Sequence, residues 1–552
     1  MSLKRRALTI AADAGYEQYL LQLYDRVNPL LDGKVDRAVR EMTPPSNEQG
    51  TILFPLLPAY QSHIYRSCIL AHAFQRHSYT PLLLRDDGDL PVWFGDRARG
   101  EDAASAALAE YRGATMPKQF GFDTVTIGDA LPDGYSNQVT ATVADAPEDY
   151  HGVPVADLAL ASTRKYFKRY EIDLNDPEQR DAYLDLLNSG CMVIDACRTL
   201  FENEDVRAVI THEPAYIHGG GPLAIAHQHG IPAYSQQRAY RDETLIFGRY
   251  ANQNALPQFT DKTTIREALQ TDLTEEQRAT IDDIMVERAS GGGRVQYSAT
   301  TGASVSGDSD SQTVGMFTNL IWDASLEVED APFPDVLEWI GTTIDALGGR
   351  EDVQLVVKTH PAESMLGTNQ SVSAWISDRY DGLPANVELL NPETNIDTYE
   401  LIGDLDAGVV YNSTVGLEMA YEGVPVIVAG DTHYRGLGFT VDPDTKAEYH
   451  NLLESITDVE APTETQALAQ RYAYFLFVQK HVQFPWIRAN AEGDGAELQP
   501  VSDPALSPAK ADLDRVVRQV VADDPVVRPV GHEPVERSLG VQRDLQRPTP
   551  GT

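Results

Sequence analysis

Short apolar runs alternate with amphipathic stretches along most of this chain. Runs of roughly four to eight residues rich in Val, Ile and Leu are typical of buried parallel strands, and the stretches between them are typical of helices. The runs lie at residues 51–58, 80–85, 206–211, 230–234, 313–317, 353–357, 407–411 and 424–429. Strands that alternate with helices predict an α/β protein with parallel sheets, and the Gly/Ser-rich stretch at 289–312 predicts a boundary between two domains.

The stretch from Asp404 to Asp442 gives the clearest unit of this kind. A strand-like run at 407–411 meets the polar turn Asn412-Ser413-Thr414, and a helical run at 415–421 leads to the next strand. The turn places two hydroxyls and unpaired backbone N–H groups at a helix N-terminus, which favours an anion. Glu418 lies one helical turn further on the same face. A simpler interpretation is that Ser413 only caps the helix.

A second polar segment follows the strand-like run at 353–357. It reads Lys358-Thr-His360-Pro361. In an open parallel sheet, ligands bind beyond the carboxyl ends of the strands, so we expect Lys358 and His360 at the same edge as Ser413 and Thr414. Pro361 restricts His360 to an extended conformation. The two segments together predict an anion site at that edge.

This combination resembles the capsule polysaccharide biosynthesis family of glycosyltransferases and, more loosely, bacterial sialyltransferases and polysialyltransferases. The resemblance spans roughly residues 313–445. It is carried by Phe317-Thr-Asn319-Leu-Ile-Trp322-Asp323, Lys358-Thr-His360-Pro361, Asn412-Ser-Thr414-Val-Gly416-Leu-Glu418, Gly423-Val-Pro425-Val and Tyr434-Arg-Gly436-Leu-Gly438-Phe-Thr440. The resemblance implies the GT-B fold, in which two Rossmann-like domains face a central cleft and helices at the C-terminus cross back. The C-terminal domain would bind a nucleotide-sugar donor and the N-terminal domain an acceptor.

The resemblance also implies roles for individual residues. His360 would contact the donor phosphate, Ser413 and Thr414 would hold it, and Glu418 would bind the ribose. The remaining donor-site candidates are Lys358, Asn319, Asp323 and Tyr434. A site of this kind needs no metal and no cofactor, since the protein supplies the positive field itself. Some members of the family use cytidine-monophosphate sugars.

Glycosyl transfer also needs a base for the acceptor hydroxyl, and we expect it in the first domain. Four residues follow strands there: His63, Asp87, His212 and Glu213. Histidine has the better unperturbed pKa for the task, but burial could raise the pKa of a carboxyl group to match. The sequence does not rank these four candidates. A basic cluster at 164–169, RKYFKR, is either a solvated helix face or a contact to an acidic acceptor or a lipid phosphate.

The order of elements predicts six segments. They are an N-terminal helical extension at 1–48, an N-terminal Rossmann-like acceptor domain at 49–288, a flexible linker at 289–312, a C-terminal Rossmann-like nucleotide-sugar domain at 313–455, crossing helices at 456–490 and a disordered tail at 491–552. The linker is rich in Gly and Ser, and the tail lacks apolar periodicity.

Charge and cysteine content narrow the function. The chain has 552 residues with 44 Lys and Arg against 83 Asp and Glu, a net charge of −39, which argues against nucleic-acid binding. Acid spread along the whole chain is typical of a surface adapted to high salt, so we expect a haloarchaeal source. The 3 Cys form no CxxC pair, so we expect neither a disulfide framework nor a zinc site.

Without a signal peptide or a long apolar run, the expected location is the cytoplasm, with contact to the inner face of the membrane if the acceptor is lipid-linked.

The sequence therefore predicts a glycosyltransferase that moves a sugar from a nucleotide-sugar donor to a glycan or lipid-linked glycan in surface polysaccharide or glycoprotein-glycan synthesis. Three alternatives stay open. One is a phosphotransferase of the cytidine-diphosphate-glycerol type, which would transfer a polyol phosphate. Another is a nucleotide-sugar 2-epimerase, which would need no acceptor. The third is a non-catalytic protein that binds a nucleotide sugar.

Overall fold

The structure, a computed structural model, describes residues 35–41, 49–57, 60–92, 103–132, 134–135, 139–250, 262–290, 311–323, 331–392, 394, 396, 398–489, 496–501 and 509–529. The strands in chain order are β1 (Thr51–Pro55), β2 (Thr80–Arg85), β3 (Thr124–Thr126), β4 (Val206–Thr211), β5 (Ala233–Arg238), β6 (Thr244–Arg249), β7 (Gln312–Phe317), β8 (Val353–Lys358), β9 (Val387–Leu390), β10 (Ala407–Val410), β11 (Val426–Val428), β12 (Val482–Gln483), β13 (Ile487–Ala489) and β14 (Ala496–Leu498).

The helices fill the connections between these strands. They are α1 (Arg37–Arg40), α2 (Gln61–Arg76), α3 (Ala103–Gln119), α4 (Ile127–Ala130), α5 (Val155–Phe167), α6 (Pro177–Asn203), α7 (Ile217–Gln228), α8 (Lys262–Leu269), α9 (Glu275–Ala289), α10 (Val336–Leu347), α11 (Ala362–Met365), α12 (Val372–Arg379), α13 (Thr398–Gly403), α14 (Val415–Glu422), α15 (Lys446–Glu454), α16 (Thr465–Tyr474) and α17 (Lys510–Val521). Two 3₁₀ helices lie at Val143–Asp145 and Ile456–Asp458, and a π-helix at Phe475–Gln479 continues α16.

The first sheet has the strand order β12-β6-β5-β4-β1-β2-β3. Strands β1 to β5 pair in parallel, whereas β6 and β12 run antiparallel to their neighbours. The order 3-2-1-4-5 is that of a Rossmann sheet, whose ligand crevice lies where the order reverses, here between β1 and β4.

The second sheet repeats this topology on a smaller scale. Its order is β11-β10-β7-β8-β9, and every pair is parallel. Counted from β7, this is again 3-2-1-4-5, so the reversal lies between β7 and β10. Side chains are buried on both faces of β7, β8 and β10, and this explains their continuous apolar runs. The predicted fold class, α/β with two Rossmann-like domains in a GT-B arrangement, is confirmed.

The end of the chain returns to the first sheet. After α16 and the π-helix, β12 pairs with β6 at the edge of that sheet. Helix α17 then packs on α2, and Leu513, Val516 and Val520 join the same buried cluster as Phe54 and Phe74. The aromatic segment 472–478 is buried where the chain crosses between the two halves.

Two expectations about segments differ from the structure. The tail expected to be disordered contains β14 and α17, because Val and Leu at helical spacing in 513–520 cover the apolar side of α2. Helices α8 and α9, expected in the first domain, share a buried cluster with α14 and α16 of the second half. Most of the helical extension at 1–48, the core of the linker at 291–310 and the tail beyond 529 lie outside the described residues.

Candidate functional site

Three strands of the second sheet end at one level. Phe317 at the end of β7 is in register with Lys358 of β8 and with Val410 of β10. The polar residues that follow these strands therefore lie side by side, at a strand spacing of about 4.8 Å. We call this group the donor edge: Thr318, Asn319, Lys358, His360, Ser413 and Thr414. The structure thus brings the predicted donor-site residues of the strand ends together.

The turn before α14 is partly open to solvent. Residues 412–415 are half-buried, and Thr414 begins the helix with no hydrogen bond from its side chain to the cap. Ser413 Oγ accepts the Val415 N–H at 3.3 Å, so Ser413 does contribute to capping. The Thr414 hydroxyl and the helix N-terminus are positioned to receive an anion.

Tyr434 supports this turn from behind. Its hydroxyl donates to the Ser413 carbonyl at 2.5 Å, and its side chain is fully buried. A Cβ atom at Gly416 would collide with the Tyr434 hydroxyl, so the glycine of this motif lets the tyrosine approach the helix. Direct contact between Tyr434 and a donor, which the sequence predicted, does not fit a ring that is covered on all sides.

His360 is held as a neutral ring. Its Nδ1 accepts the Ala362 N–H at 3.1 Å, which leaves the proton of the neutral imidazole on Nε2. Burial, together with the nearby Lys358 ammonium, lowers the pKa of His360 to about 4. Lys358 is buried, and its Nζ donates to the Ile396 carbonyl at 3.3 Å. This pair therefore offers a neutral N–H donor and a cation to a phosphate.

Glu418 is already engaged by a residue that the sequence did not single out. Its buried carboxylate forms an ion pair with Arg288 at the end of α9, and Arg288 also lies over the Phe477 ring at 4.7 Å. Burial of the guanidinium works against its charge, but the Glu418 carboxylate outweighs this and raises the pKa of Arg288. A ribose at Glu418 would therefore meet a carboxylate whose charge is balanced and whose position is fixed.

The first sheet carries the second half of the site, which we call the base edge: His63, His212, Glu213 and His218. His63 lies in the first turn of α2, after β1, and His212 directly follows β4, so the two come from opposite sides of the reversal point. Their rings stack at 4.4 Å between centroids with an interplanar angle of 20°. Burial and the nearby Arg66 lower the pKa of His63 to about 3, so this ring is neutral at pH 7.

Glu213 is held as a carboxylate. Burial would raise its pKa, but the Lys165 ammonium at 2.8 Å and the His218 ring at 3.3 Å hold that pKa well below its usual range. Its backbone has a φ of +43°, a strained conformation for a residue other than glycine and one that clusters at functional sites. Gly219 permits the close approach, because a Cβ there would collide with the carbonyls of His212 and Glu213.

Asp87 stands apart from the other candidates. Its side chain is half-exposed and pairs with Arg85 at the end of β2. His212 is fully buried, and hydrogen bonds to Ser67 and Gln236 occupy its ring. His63 is different, because it is only partly buried and its Nδ1 has no hydrogen-bond partner among the described residues.

The loops that adjoin the two edges contact each other. The Tyr216 hydroxyl, between Glu213 and α7, donates to Asp323 Oδ1 in the loop after β7 at 3.2 Å. Asn319 in the same loop has a buried side-chain oxygen without a partner in the described part of the chain.

Two of the residues that complete the site, Tyr216 and His218, lie in the segment after β4 that the sequence marked as a strand end. Arg288 and Gln236 carry no local motif that would mark them.

The basic cluster at 164–169 is neither a solvated face nor an exposed anion site. Lys165 pairs with Glu213, and Lys168 is 2% exposed and donates to the Leu366 carbonyl of the second half. Asn369 donates its side-chain N–H to the Phe167 carbonyl at 2.7 Å, and Gln370 Oε1 accepts from the backbone of Tyr170 at 3.0 Å. The end of α5 therefore joins the two halves beside the site.

Two further features of the described residues concern metal binding and membrane crossing. No group of three or more His, Cys, Asp or Glu side chains in the described ranges is arranged to hold a metal ion. Of the helices described, none combines the length and the apolar character that a membrane crossing requires.

The comparisons with known proteins agree with the motif region. A family model described as capsule polysaccharide biosynthesis protein matches residues 346–474, which include β8, His360 and the turn before α14. A search of curated proteins found no match to the chain. The resemblance to the capsule polysaccharide biosynthesis family is therefore confirmed for this part of the sequence.

The solved structures that match this chain share little of its sequence. KpsC of Thermosulfurimonas dismutans, a beta Kdo 2,4 transferase, is 15% identical over 57% of this chain and 88% of that one, with a TM-score of 0.35. A second match from the same organism, KpsC as a beta Kdo 2,7 transferase, is 13% identical over 58% of this chain and 89% of that one, with a TM-score of 0.33. Anabaena HepE, solved with UDP-glucose, is 12% identical over 86% of this chain and all of that one, with a TM-score of 0.27.

Proposed function

We propose that this chain is a glycosyltransferase that moves a sugar from a nucleotide-sugar donor to a glycan or lipid-linked glycan acceptor in the synthesis of surface polysaccharide or glycoprotein glycans. One observation supports the proposal: the donor edge of one Rossmann-like sheet and the base edge of the other are joined by a hydrogen bond between neighbouring residues, Tyr216 and Asp323. Each edge lies at the reversal point of its sheet, where α/β proteins bind ligands.

The donor edge fits the leaving phosphate. Lys358 supplies a positive charge, His360 supplies an Nε2–H donor, and the turn before α14 supplies a hydroxyl and the positive end of a helix. Negative charge grows on the phosphate oxygen as the bond to the sugar breaks, and preorganised donors stabilise it most when water is excluded. Glu418, fixed by Arg288, would accept hydrogen bonds from the ribose.

The base edge fits the acceptor. His63 is the best placed of the four base candidates, because its ring is partly exposed and its Nδ1 lacks a hydrogen-bond partner in the described structure. Glu213 is less suited, because Lys165 and His218 already engage its carboxylate. His212 is fully enclosed, and Asp87 is paired at the surface.

The alternatives differ in what the base edge would have to do. A binding protein would need no base. An epimerase would need a base to remove a sugar proton but no acceptor, so product formation that depends on an acceptor separates a transferase from both. A phosphotransferase of the cytidine-diphosphate-glycerol type would use the same two edges. The identity of the transferred group, read by mass spectrometry of the product, separates it from a glycosyltransferase.

A thermal-shift screen in molar salt tests the donor site. A ligand that binds only the folded state raises the melting temperature by mass action. Nucleotides and nucleotide sugars form the panel, with cytidine-monophosphate sugars first because some members of the resembling family use them. We expect one nucleotide class to stabilise the protein, the effect to vanish in His360→Ala, and the effect to persist in the control His450→Ala, whose side chain is exposed on α15. Stabilisation by no nucleotide would contradict the proposal.

Three finer points remain predictions of this proposal. Transfer should survive a chelator, because the protein supplies the positive field. Activity should be found in the cytoplasm or at the inner face of the membrane. The charge of −39 predicts that molar salt raises the melting temperature, because salt screens repulsion among surface carboxylates.

A further inference from the structure

His212 forms a platform beneath His63. The two rings are nearly parallel and 4.4 Å apart, and His212 is fully buried while His63 reaches the surface of the cleft. A fully enclosed ring with both nitrogens occupied cannot reach an acceptor. Its position nevertheless brings it into face-to-face contact with the ring that the proposed function assigns as the base.

The hydrogen bonds of His212 fix its protonation state. Gln236 Nε2 in β5 lies 2.6 Å from His212 Nδ1 and 3.4 Å from His212 Nε2, so Nδ1 is its nearer partner, and Ser67 Oγ in α2 lies 3.1 Å from His212 Nε2. An amide nitrogen can only donate, so Nδ1 must accept and carries no proton. The proton of the ring is therefore on Nε2, where it donates to Ser67. Both partners are fully buried or nearly so, and the arrangement is shielded from water.

The charges that face this pair come from three elements. Arg66 on α2 and His218 on α7 disfavour a positive charge at His212, and Lys165 on α5 disfavours one at His63. Glu213 is the one carboxylate among them, and Lys165 and His218 balance it. Burial is the main reason that the pKa of His212 is held well below its usual range, and the neighbouring His63 and Arg66 lower it further.

We propose that Gln236 and Ser67 are positioning residues that hold His212 as a neutral ring, and that this ring stabilises the positive charge that His63 acquires during transfer. The inference rests on the proposed function. In the transfer step, the acceptor hydroxyl oxygen bonds to the anomeric carbon, and the bond from that carbon to the donor phosphate oxygen breaks. The electron pair stays on the phosphate, and the hydroxyl proton passes to His63. The face of a neutral aromatic ring attracts the resulting imidazolium, whereas a charged ring would repel it.

Gln236→Glu tests the proposal with almost no change of shape. A carboxylate accepts a proton from Nδ1, so it should convert His212 into an imidazolium. Gln237→Glu is the matched control, because it adds the same charge to the next residue of β5, on the opposite face of the strand. In protein labelled with ¹⁵N-histidine, we expect the neutral Nε2–H form of His212 in the wild type and in Gln237→Glu, and the doubly protonated form in Gln236→Glu.

The kinetic readout uses the donor that the thermal-shift screen identifies. We expect kcat of Gln236→Glu to fall about tenfold with the Kd for the donor unchanged, and Gln237→Glu to leave both unchanged. If Gln236→Glu does not fold, Gln236→Met removes the amide donor at similar size. It should allow a proton on Nδ1 and lower kcat by a smaller factor.

Separate outcomes overturn the inference and the proposed function. A doubly protonated His212 in the wild type at neutral pH overturns the platform whatever the activity. A charged His212 in Gln236→Glu with an unchanged kcat also overturns it, while the glycosyltransferase proposal stands. A wild type that transfers no sugar from any donor overturns the proposed function, and with it the role given to the platform.

Discussion

The donor edge and the base edge occupy equivalent places in two sheets of the same topology, but they are built differently. At the donor edge, the functional groups belong to short contiguous motifs at the ends of β7, β8 and β10. At the base edge, each group depends on a residue from another element: Glu213 on Lys165 of α5, and His212 on Gln236 of β5. An anion site can be made from strand ends and a helix N-terminus alone, whereas a base needs an environment that sets its protonation state.

The largest effect that we expect at the donor edge concerns Arg288. Arg288→Met leaves Glu418, which is 4% exposed, without its counter-charge, and removal of one partner from a buried ion pair costs about 3–5 kcal/mol of unfolding free energy. Urea denaturation in molar salt measures this loss. Arg278→Met, at an exposed position on the same helix, is the control and should change the unfolding free energy by less than about 0.5 kcal/mol. Equal losses in the two variants would mean that the Glu418 pair has no special role.

A second prediction uses the neutral histidines at both edges. Burial lowers the pKa of His360 to about 4 and that of His63 to about 3. Between these values and about 6.5, the unfolded chain binds protons that the folded chain does not, so stability falls as the pH falls through this range. At pH 5 each histidine should cost about 2 kcal/mol relative to pH 8.

The same experiment distinguishes these histidines from the many carboxylates of the chain. His360→Gln should reduce the loss of unfolding free energy between pH 8 and pH 5 by about 2 kcal/mol, whereas His450→Gln at the exposed site should leave it unchanged. An identical loss in wild type and His360→Gln would show that His360 is not held neutral by burial.

The smallest effect concerns the contact between the edges. Tyr216→Phe removes the hydrogen bond to Asp323, worth about 0.5–1.5 kcal/mol, and should lower kcat/KM about threefold to tenfold. Tyr380→Phe removes a similar bond from a tyrosine to Asp345 within the second half and should not alter kcat/KM. If Tyr216→Phe behaves like this control, the contact does not align the two edges.

The sequence could predict the donor edge because its residues are local. Strand-like runs, a His-Pro pair and a Ser-Thr turn each lie within a few residues, and the parallel topology then places them together. The fold class followed from the same alternation. Tyr434 was assigned to the donor because it belongs to the motif, but it supports the turn from behind, and burial is a property of the packed chain that the motif does not carry.

The base edge was only partly predictable for the same reason. His63, His212 and Glu213 follow strands and could be named, but their ranking depends on Lys165, Ser67 and Gln236, which only the fold brings near them. Arg288 is 130 residues from Glu418, and no local pattern links the two. The basic cluster was misread because Lys165 pairs with Glu213 and Lys168 is buried against the second half.

The most direct test of the division between the two edges compares His63→Ala with His360→Ala on the donor found in the screen. The Kd for the donor is measured by calorimetry, and the transfer rate is measured in single turnovers with saturating donor. We predict that His63→Ala lowers the transfer rate by about 10²–10⁴ with an unchanged Kd. We predict that His360→Ala instead raises the Kd about tenfold or more, because a hydrogen bond to a charged phosphate is lost. An unchanged transfer rate in His63→Ala, or the same pattern of loss in both variants, would contradict the account.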